Sequence, residues 1–278
     1  MHPPIRAKTH KKNTMSTVTT DPTIKTSHHD PAPSPRSAAL IAGVGYIILF
    51  VLGIFANFIV RTGLVDPNDA SATFANITNS ESLFRAGLVS FLVLFVVDIV
   101  VAWALYIVFK SVNRQVSLVA AWFRIVYTVF LGVAVIFLFL ILELVSGAEF
   151  LSAFDQGQLE AQVALALEAF NYTWLIGLAA FGIHLIILGY LIFVSHWAPR
   201  ALGIVMAIAG AGYVVDTLAY SMLANYADYA NVFLVLVAVP SVIGEFAFAI
   251  WLLKPGSTVL CVSGGWVVGG KYTESASW

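Results

Sequence analysis

The sequence predicts an all-α polytopic membrane protein: a bundle of six transmembrane helices with short amphipathic helices on its outer face. Three observations carry that prediction. Six long apolar stretches are separated by polar connections, and about twenty apolar residues suffice to cross a bilayer. Charged residues make up 10% of the chain and hydrophobic ones 60%, with a mean hydropathy of +0.90, whereas soluble domains are about 25% charged. Lysine and arginine are also distributed unevenly among the connections, which gives the stretches an orientation.

Residues 1–37 are rich in Thr, Ser, His, Pro and Lys and hold almost no large apolar side chain. Such a segment cannot bury enough surface to order itself and is expected to be a disordered basic cytoplasmic tail. It is too polar for the start of a cleaved signal peptide, so the first span is expected to stay as an anchor. The spans run from about Ala38 to Val60, Leu83 to Phe109, Leu118 to Leu144, Tyr172 to Val194, Ala201 to Ala224 and Val232 to Leu253. They make a transmembrane domain over residues 38–255. After the first span, Pro67 turns the chain and Asp69 is placed to cap a short helix that ends at Asn79. In the third connection, Leu159, Val163, Ala166 and Phe170 recur at helical spacing opposite Glu160 and Glu168. That pattern predicts an amphipathic helix lying on the outer surface. Residues 256–278 change to Gly, Ser, Val and Trp, a C-terminal tail from which no function is read. The single cysteine, Cys261, excludes an intrachain disulfide and a cysteine metal cluster.

The basic residues set the expected topology. The N-terminal tail holds Arg6, Lys8, Lys11, Lys12, Lys25 and Arg36; the second connection Lys110 and Arg114; the fourth Arg200; the C-terminal side Lys254 and Lys271. The third connection has Glu149, Asp155, Glu160 and Glu168 and no basic residue, and in the first Arg61 and Arg85 are offset by Asp66, Asp69 and Glu81. Basic connections stay in the cytoplasm. Both termini are therefore expected on the cytoplasmic side of the plasma membrane.

Within the spans lie ionisable residues that a bilayer tolerates only at a cost of about 2.5–3.5 kcal/mol each. Asp98, Arg124, His184, Asp216 and Glu245, joined by Tyr127, are expected to form a buried polar core. Tyr46, Asn57, Tyr106 and Tyr213 fall on the same helical faces as a secondary polar lining. At about 1.5 Å of rise per residue, Asp98 and His184 lie about 18 Å from the cytoplasmic ends of their spans, and Arg124 and Glu245 about 10–13 Å. Matched depth predicts the pairs Arg124 with Glu245 and Asp98 with His184. Asp98 and Asp216, for which the sequence shows no obvious cation close by, are the better candidates for protonation chemistry.

Several chemistries are excluded or disfavoured. No lysine stands within a span for a retinal Schiff base, and one histidine cannot ligate haem from both sides. No G-x-S-x-G, Walker or H-E-x-x-H pattern is present. A metal site on His184, Asp98 and Glu245 is weak, because its carboxylates are scattered. No metal, cofactor or nucleic acid is expected. Two glycosylation sequons, Asn76-Ile77-Thr78 and Asn171-Tyr172-Thr173, lie on the outer side and are read as chance. Spans one and five share an echo, Ile41-Ala42-Gly43-Val44-Gly45-Tyr46 against Ile208-Ala209-Gly210-Ala211-Gly212-Tyr213; chance is again the default reading.

A family resemblance rests on particular residues. Leu105-Tyr106, Lys110, Asn113 and Phe123-Arg124-Ile125 resemble the second-span exit, short basic connection and arginine-bearing third span of the bacterial membrane proteins grouped as domain of unknown function 4386. Trp174, Phe181-Gly182 and Pro199-Arg200 are similar to its fourth span, and Glu245, Trp251 and Lys254 to its last. The resemblance runs from about Ala38 to Gly256. Members often carry a carboxylate one turn after the arginine; here that position is Tyr127, which favours Glu245 as partner. The family implies the architecture and no activity. The polar stripe itself favours transport of a small solute or protons. A non-catalytic scaffold or regulatory partner that binds another protein is the alternative, and an embedded enzyme ranks third.

Overall fold

The computed structural model describes residues 34–254 and the backbone of 261–262 and 265–266, which pair as a two-residue antiparallel ladder. The tail expected to be disordered, up to residue 33, and most of the C-terminal tail lie outside the described residues. Six helices are long and apolar enough to cross a membrane: α1 Pro35–Leu64, α3 Glu81–Phe109, α4 Arg114–Leu144, α5 Gln156–Ser195, α6 Arg200–Met222 and α7 within Tyr226–Leu253, where its α-helical part is Ala230–Leu253. Between α1 and α3 stands the short α2, Ala70–Asn79.

The helix starts follow from local chemistry. Ser34 accepts the Ser37 backbone N–H, and Pro35 fills the first turn, where its missing N–H costs nothing. Asp69, the predicted cap, accepts from Ala72. Asn113 accepts from Val116 at the start of α4, and Asp155 with Gln158 makes a reciprocal capping box on α5. The caps reach further out than apolar composition indicates. Helix α1 begins three residues before Ala38, and α4 four before Leu118. The α4 difference matters for the site.

The third connection differs more. After a turn of 3-10 helix at Glu149–Ala153, α5 runs unbroken for 40 residues. Its length is about 60 Å at 1.5 Å per residue, twice the hydrocarbon thickness. The amphipathic segment thus extends the fourth span instead of lying separately on the surface. Val163, Ala166 and Phe170 are buried there, in a cluster with Ile77 of α2, and Ser71 of α2 hydrogen-bonds Glu160 at 3.1 Å. The apolar stripe faces protein, so no membrane surface is needed to bury it.

The six long helices form a closed ring. Helix α1 packs on α3, α3 on α4, α4 on α5, α5 on α6, α6 on α7, and α7 returns to α1. Arg36, assigned from sequence to the tail, closes the ring. Its guanidinium donates to the carbonyls of Leu252, Leu253 and Lys254 at 3.0–3.4 Å, at a helix end where the last carbonyls lack intrahelical donors. We call this end of the bundle proximal and the α2 end distal. The α5–α6 seam is built on glycine. A Cβ at Gly182 would stand 2.5 Å from the Gly210 carbonyl oxygen, and one at Gly189 the same distance from that of Gly203. Small residues let the backbones approach this closely.

Candidate functional site

Four helices of the ring contribute to one polar layer. Tyr46 stands eleven residues into α1, Asp98 eleven before the end of α3, Arg124 ten into α4 and His184 eleven before the end of α5. All four are therefore about 15–17 Å from the proximal end, and all are buried to 2% exposure or less.

Arg124 is the hub. Its Nε and Nη2 donate to the same Asp98 oxygen, Oδ1, at 2.9 and 2.5 Å. Nη1 donates to Tyr46 Oη at 3.0 Å and meets His184 Nε2 at 3.3 Å. His184 Nδ1 lies 2.9 Å from the Ala120 carbonyl, one turn before Arg124 on the same helix. A carbonyl only accepts and a guanidinium only donates. The imidazole is therefore neutral, with its proton on Nδ1 and Nε2 facing Arg124. The rings of Tyr46 and Phe181 cover the guanidinium at 5.1 and 5.4 Å, an arrangement worth about 2 kcal/mol or more when desolvated. This layer is an ion pair surrounded by neutral acceptors and aromatic faces.

Both predicted pairings are corrected. Arg124 pairs with Asp98 and forms no ion pair with Glu245 within 4.0 Å. Asp98 and His184 meet only through Arg124. The cause is the start of α4: from Arg114, Arg124 lies about 6 Å deeper than it does from Leu118, and reaches the level of Asp98. Glu245 stands eight residues before Leu253, about one turn nearer the proximal end. Asp98 is therefore not the cation-free carboxylate that the sequence indicated.

The other predicted residues fall into three places. Glu245 is half-buried and within electrostatic range of Arg124, Tyr46 and Tyr213. Tyr46 and Tyr213 thus flank it from α1 and α6, the two neighbours of α7. Tyr127 lies one turn distal of Arg124 against Phe181, ring centroids 4.8 Å apart, and Tyr213 meets the same Phe181 edge-on at 5.5 Å. Asp216 is remote from the layer; it is half-buried in the distal half of α6, where Tyr226 Oη donates to it at 2.6 Å. Tyr106 lines a cavity of about 10 Å³ beside His184, together with Phe109, Ser117, Ala120 and Leu188. That is room for about one water. Among the described residues no three His, Cys, Asp or Glu stand close enough to hold a metal.

Asn57 belongs to a second polar group, at the distal end, that sequence reasoning did not assemble. Residues Phe55–Arg61 are π-helical, and within them Asn57 Oδ1 accepts from Arg61 Nη1 at 3.1 Å. Arg61 Nη2 donates to Asn171 Oδ1 on α5 at 2.6 Å, so the second sequon's asparagine faces protein. The Arg61 guanidinium rests over the rings of Phe170 at 5.0 Å and Trp174 at 5.8 Å. The sequence did carry the signal: Asn57 and Arg61 are four residues apart, on one helical face.

Residues 41–256 match the family described as "Domain of unknown function (DUF4386)". A protein of Archaeoglobus fulgidus described as "Uncharacterized protein" is 29% identical over 169 residues, covering 61% of this chain and 83% of that relative. No solved structure matches the chain.

Proposed function

We propose, from the premise that this chain belongs to the DUF4386 family, that it is a proton-coupled transport protein of the cytoplasmic membrane with Glu245 as its exchangeable carboxylate. One observation carries the reading. Of the three carboxylates of the predicted polar core, Asp98 is held by two arginine hydrogen bonds and Asp216 by a tyrosine hydroxyl, while Glu245 has neither a hydrogen bond nor an ion pair among the described residues. An intramembrane ionisable group that faces a bundle interior unpaired marks a solute or proton path.

Helix α7 suits a moving part. Pro240 lies inside it and removes the hydrogen bond to the Leu236 carbonyl. That carbonyl faces Gly212, where a Cβ would stand 3.3 Å from it. Proximal to Pro240, α7 is tied to α1 by Phe246 against Phe50 and Phe248 against Tyr46. Distal to it, Val232, Leu234, Val235 and Val239 are all more than half exposed to the surrounding membrane. A hinge at Pro240 lets one half move while Glu245 stays near the Arg124 layer. The small cavity beside His184 fits a water and a proton better than any larger solute.

Purified protein in liposomes holding a pH-sensitive dye tests the reading. Under an imposed potential, wild type is expected to acidify the lumen, and Glu245→Gln to abolish the flux while folding normally. Flux that survives Glu245→Gln clears this residue. The paired and buried Arg124 layer favours a second reading, a non-catalytic scaffold. Wild type that moves no protons selects it.

The same reading places the proximal end in the cytoplasm, as the Lys and Arg distribution supports. In a Cys261→Ser background, Ser152→Cys is expected to react with an impermeant thiol reagent added outside and Gln115→Cys to resist it. Both positions are exposed and neither caps a helix. The reverse pattern overturns the orientation.

A further inference from the structure

We propose that Arg61, with Asn57, Asn171, Phe170 and Trp174, forms a binding site for a phosphate oxyanion at the distal boundary of the bundle. The argument starts from its contrast with Arg124. Both guanidiniums lie over two aromatic rings, but Arg124 has a carboxylate and Arg61 has none within 4.0 Å. Of the five N–H groups of Arg61, two are matched, both to neutral amide oxygens. Its Nε is buried with no acceptor at all. An unmatched buried donor is costly, and costlier on a charged group. Glu168 of α5 acts on Arg61 electrostatically, but it is exposed and forms no ion pair.

Nε and Nη2 form the edge of a guanidinium that meets an oxyanion through two parallel hydrogen bonds. Here Nη2 keeps a second hydrogen beyond the one given to Asn171, so that edge has two donors to offer. The backbone is also unusual at this point. A π-helical stretch is rare and recurs at functional sites, and this one spans both Asn57 and Arg61. Depth agrees as well. Arg61 lies three residues from the distal end of a 30-residue span, about 5 Å from its end and at the level of lipid phosphates. Below it on the same face, Asn57 Nδ2 donates to the Gly53 carbonyl, and no atom stands within 4 Å of where a Gly53 Cβ would project. The helix face two turns below Arg61 is thus open at Gly53, where the chain attached to a phosphate would run. The ligand is either the headgroup of an anionic phospholipid or free phosphate.

Thermal unfolding of the full chain in detergent distinguishes these. Phosphatidylglycerol is expected to raise the wild-type unfolding temperature by several degrees more than phosphatidylcholine does. Arg61→Gln should lose that excess, Glu168→Gln should enlarge it, and Lys110→Gln at the proximal end should keep it. Inorganic phosphate that reproduces the excess identifies free phosphate as sufficient; an excess with the lipid alone identifies the headgroup. If Arg61→Gln does not fold, Arg61→Lys, which keeps the charge but lacks the Nε–H, is expected to show a reduced excess. No excess with either probe, or one equal in wild type, Glu168→Gln and the folded Arg61 variant, overturns the site. Neither result depends on proton flux, so this proposal and the transport reading fail separately.

Discussion

Arg124→Ala should destabilise the folded bundle by about 3–5 kcal/mol, because it leaves Asp98 charged, buried and unpaired. Asp98→Ala should cost a similar amount by stranding the guanidinium. The layer ties α1, α3, α4 and α5 at one level, so its loss loosens half the ring. Double variants identify the partner. Arg124→Ala combined with Asp98→Ala removes both charges and should recover part of the loss. Combined with Glu245→Ala it should recover little, since Asp98 remains stranded. Unfolding in mixed micelles, read by helix content, measures the coupling. Greater recovery with Glu245→Ala than with Asp98→Ala would return Glu245 to the role of partner. His184→Ala is the milder change. It removes a neutral acceptor of Arg124, the donor to the Ala120 carbonyl and a buried ring, and should cost about 2 kcal/mol.

How much of this was legible in the sequence depends on which signal each feature leaves. The six spans are written in composition, and the short helix after Pro67 in its Asp69 cap. The partner of Arg124 is not, because a depth estimate is only as good as the helix end it is counted from. Leu118 is where apolar composition begins, but the helix begins where Asn113 can cap it. Four residues are about 6 Å, enough to move Arg124 from the level of Glu245 to that of Asp98. The unbroken α5 was hidden for a related reason. Glu160 and Glu168 read as the polar side of a separate surface helix, and nothing between Phe170 and Trp174 marks continuity except the absence of a breaker. Arg61 counted only as a charge of the first connection, because a basic residue at a span end ordinarily snorkels to water and nothing in the sequence places Asn171 or Phe170 beside it. The π-helical turn beneath it has no sequence signature.

The glycine seam was present in the sequence as two matching spacings, Gly182 with Gly189 and Gly203 with Gly210, seven residues apart on consecutive spans. Seven residues are two helical turns, so each pair lies on one face. On antiparallel neighbours the outer pairs align, Gly182 with Gly210 and Gly189 with Gly203, each against the other's carbonyl. Gly182→Ala should therefore destabilise by about 1–3 kcal/mol, because a backbone carbonyl cannot turn aside as a side chain can. Helix propensity alone points the other way: in a helix interior alanine is better than glycine by about 0.8–1.0 kcal/mol. Gly53→Ala isolates that background, since no neighbour stands within 4 Å of its Cβ position. It should be neutral or stabilising. Opposite signs for the two substitutions, measured in the same unfolding assay, establish that backbone contact and not propensity holds α5 to α6. Equal signs would mean that the seam relaxes freely. The consequence reaches the site: α6 supports Tyr213 and holds α7 in the ring, so Gly182→Ala should also lower any flux that Glu245 carries. Gly53→Ala should leave that flux unchanged.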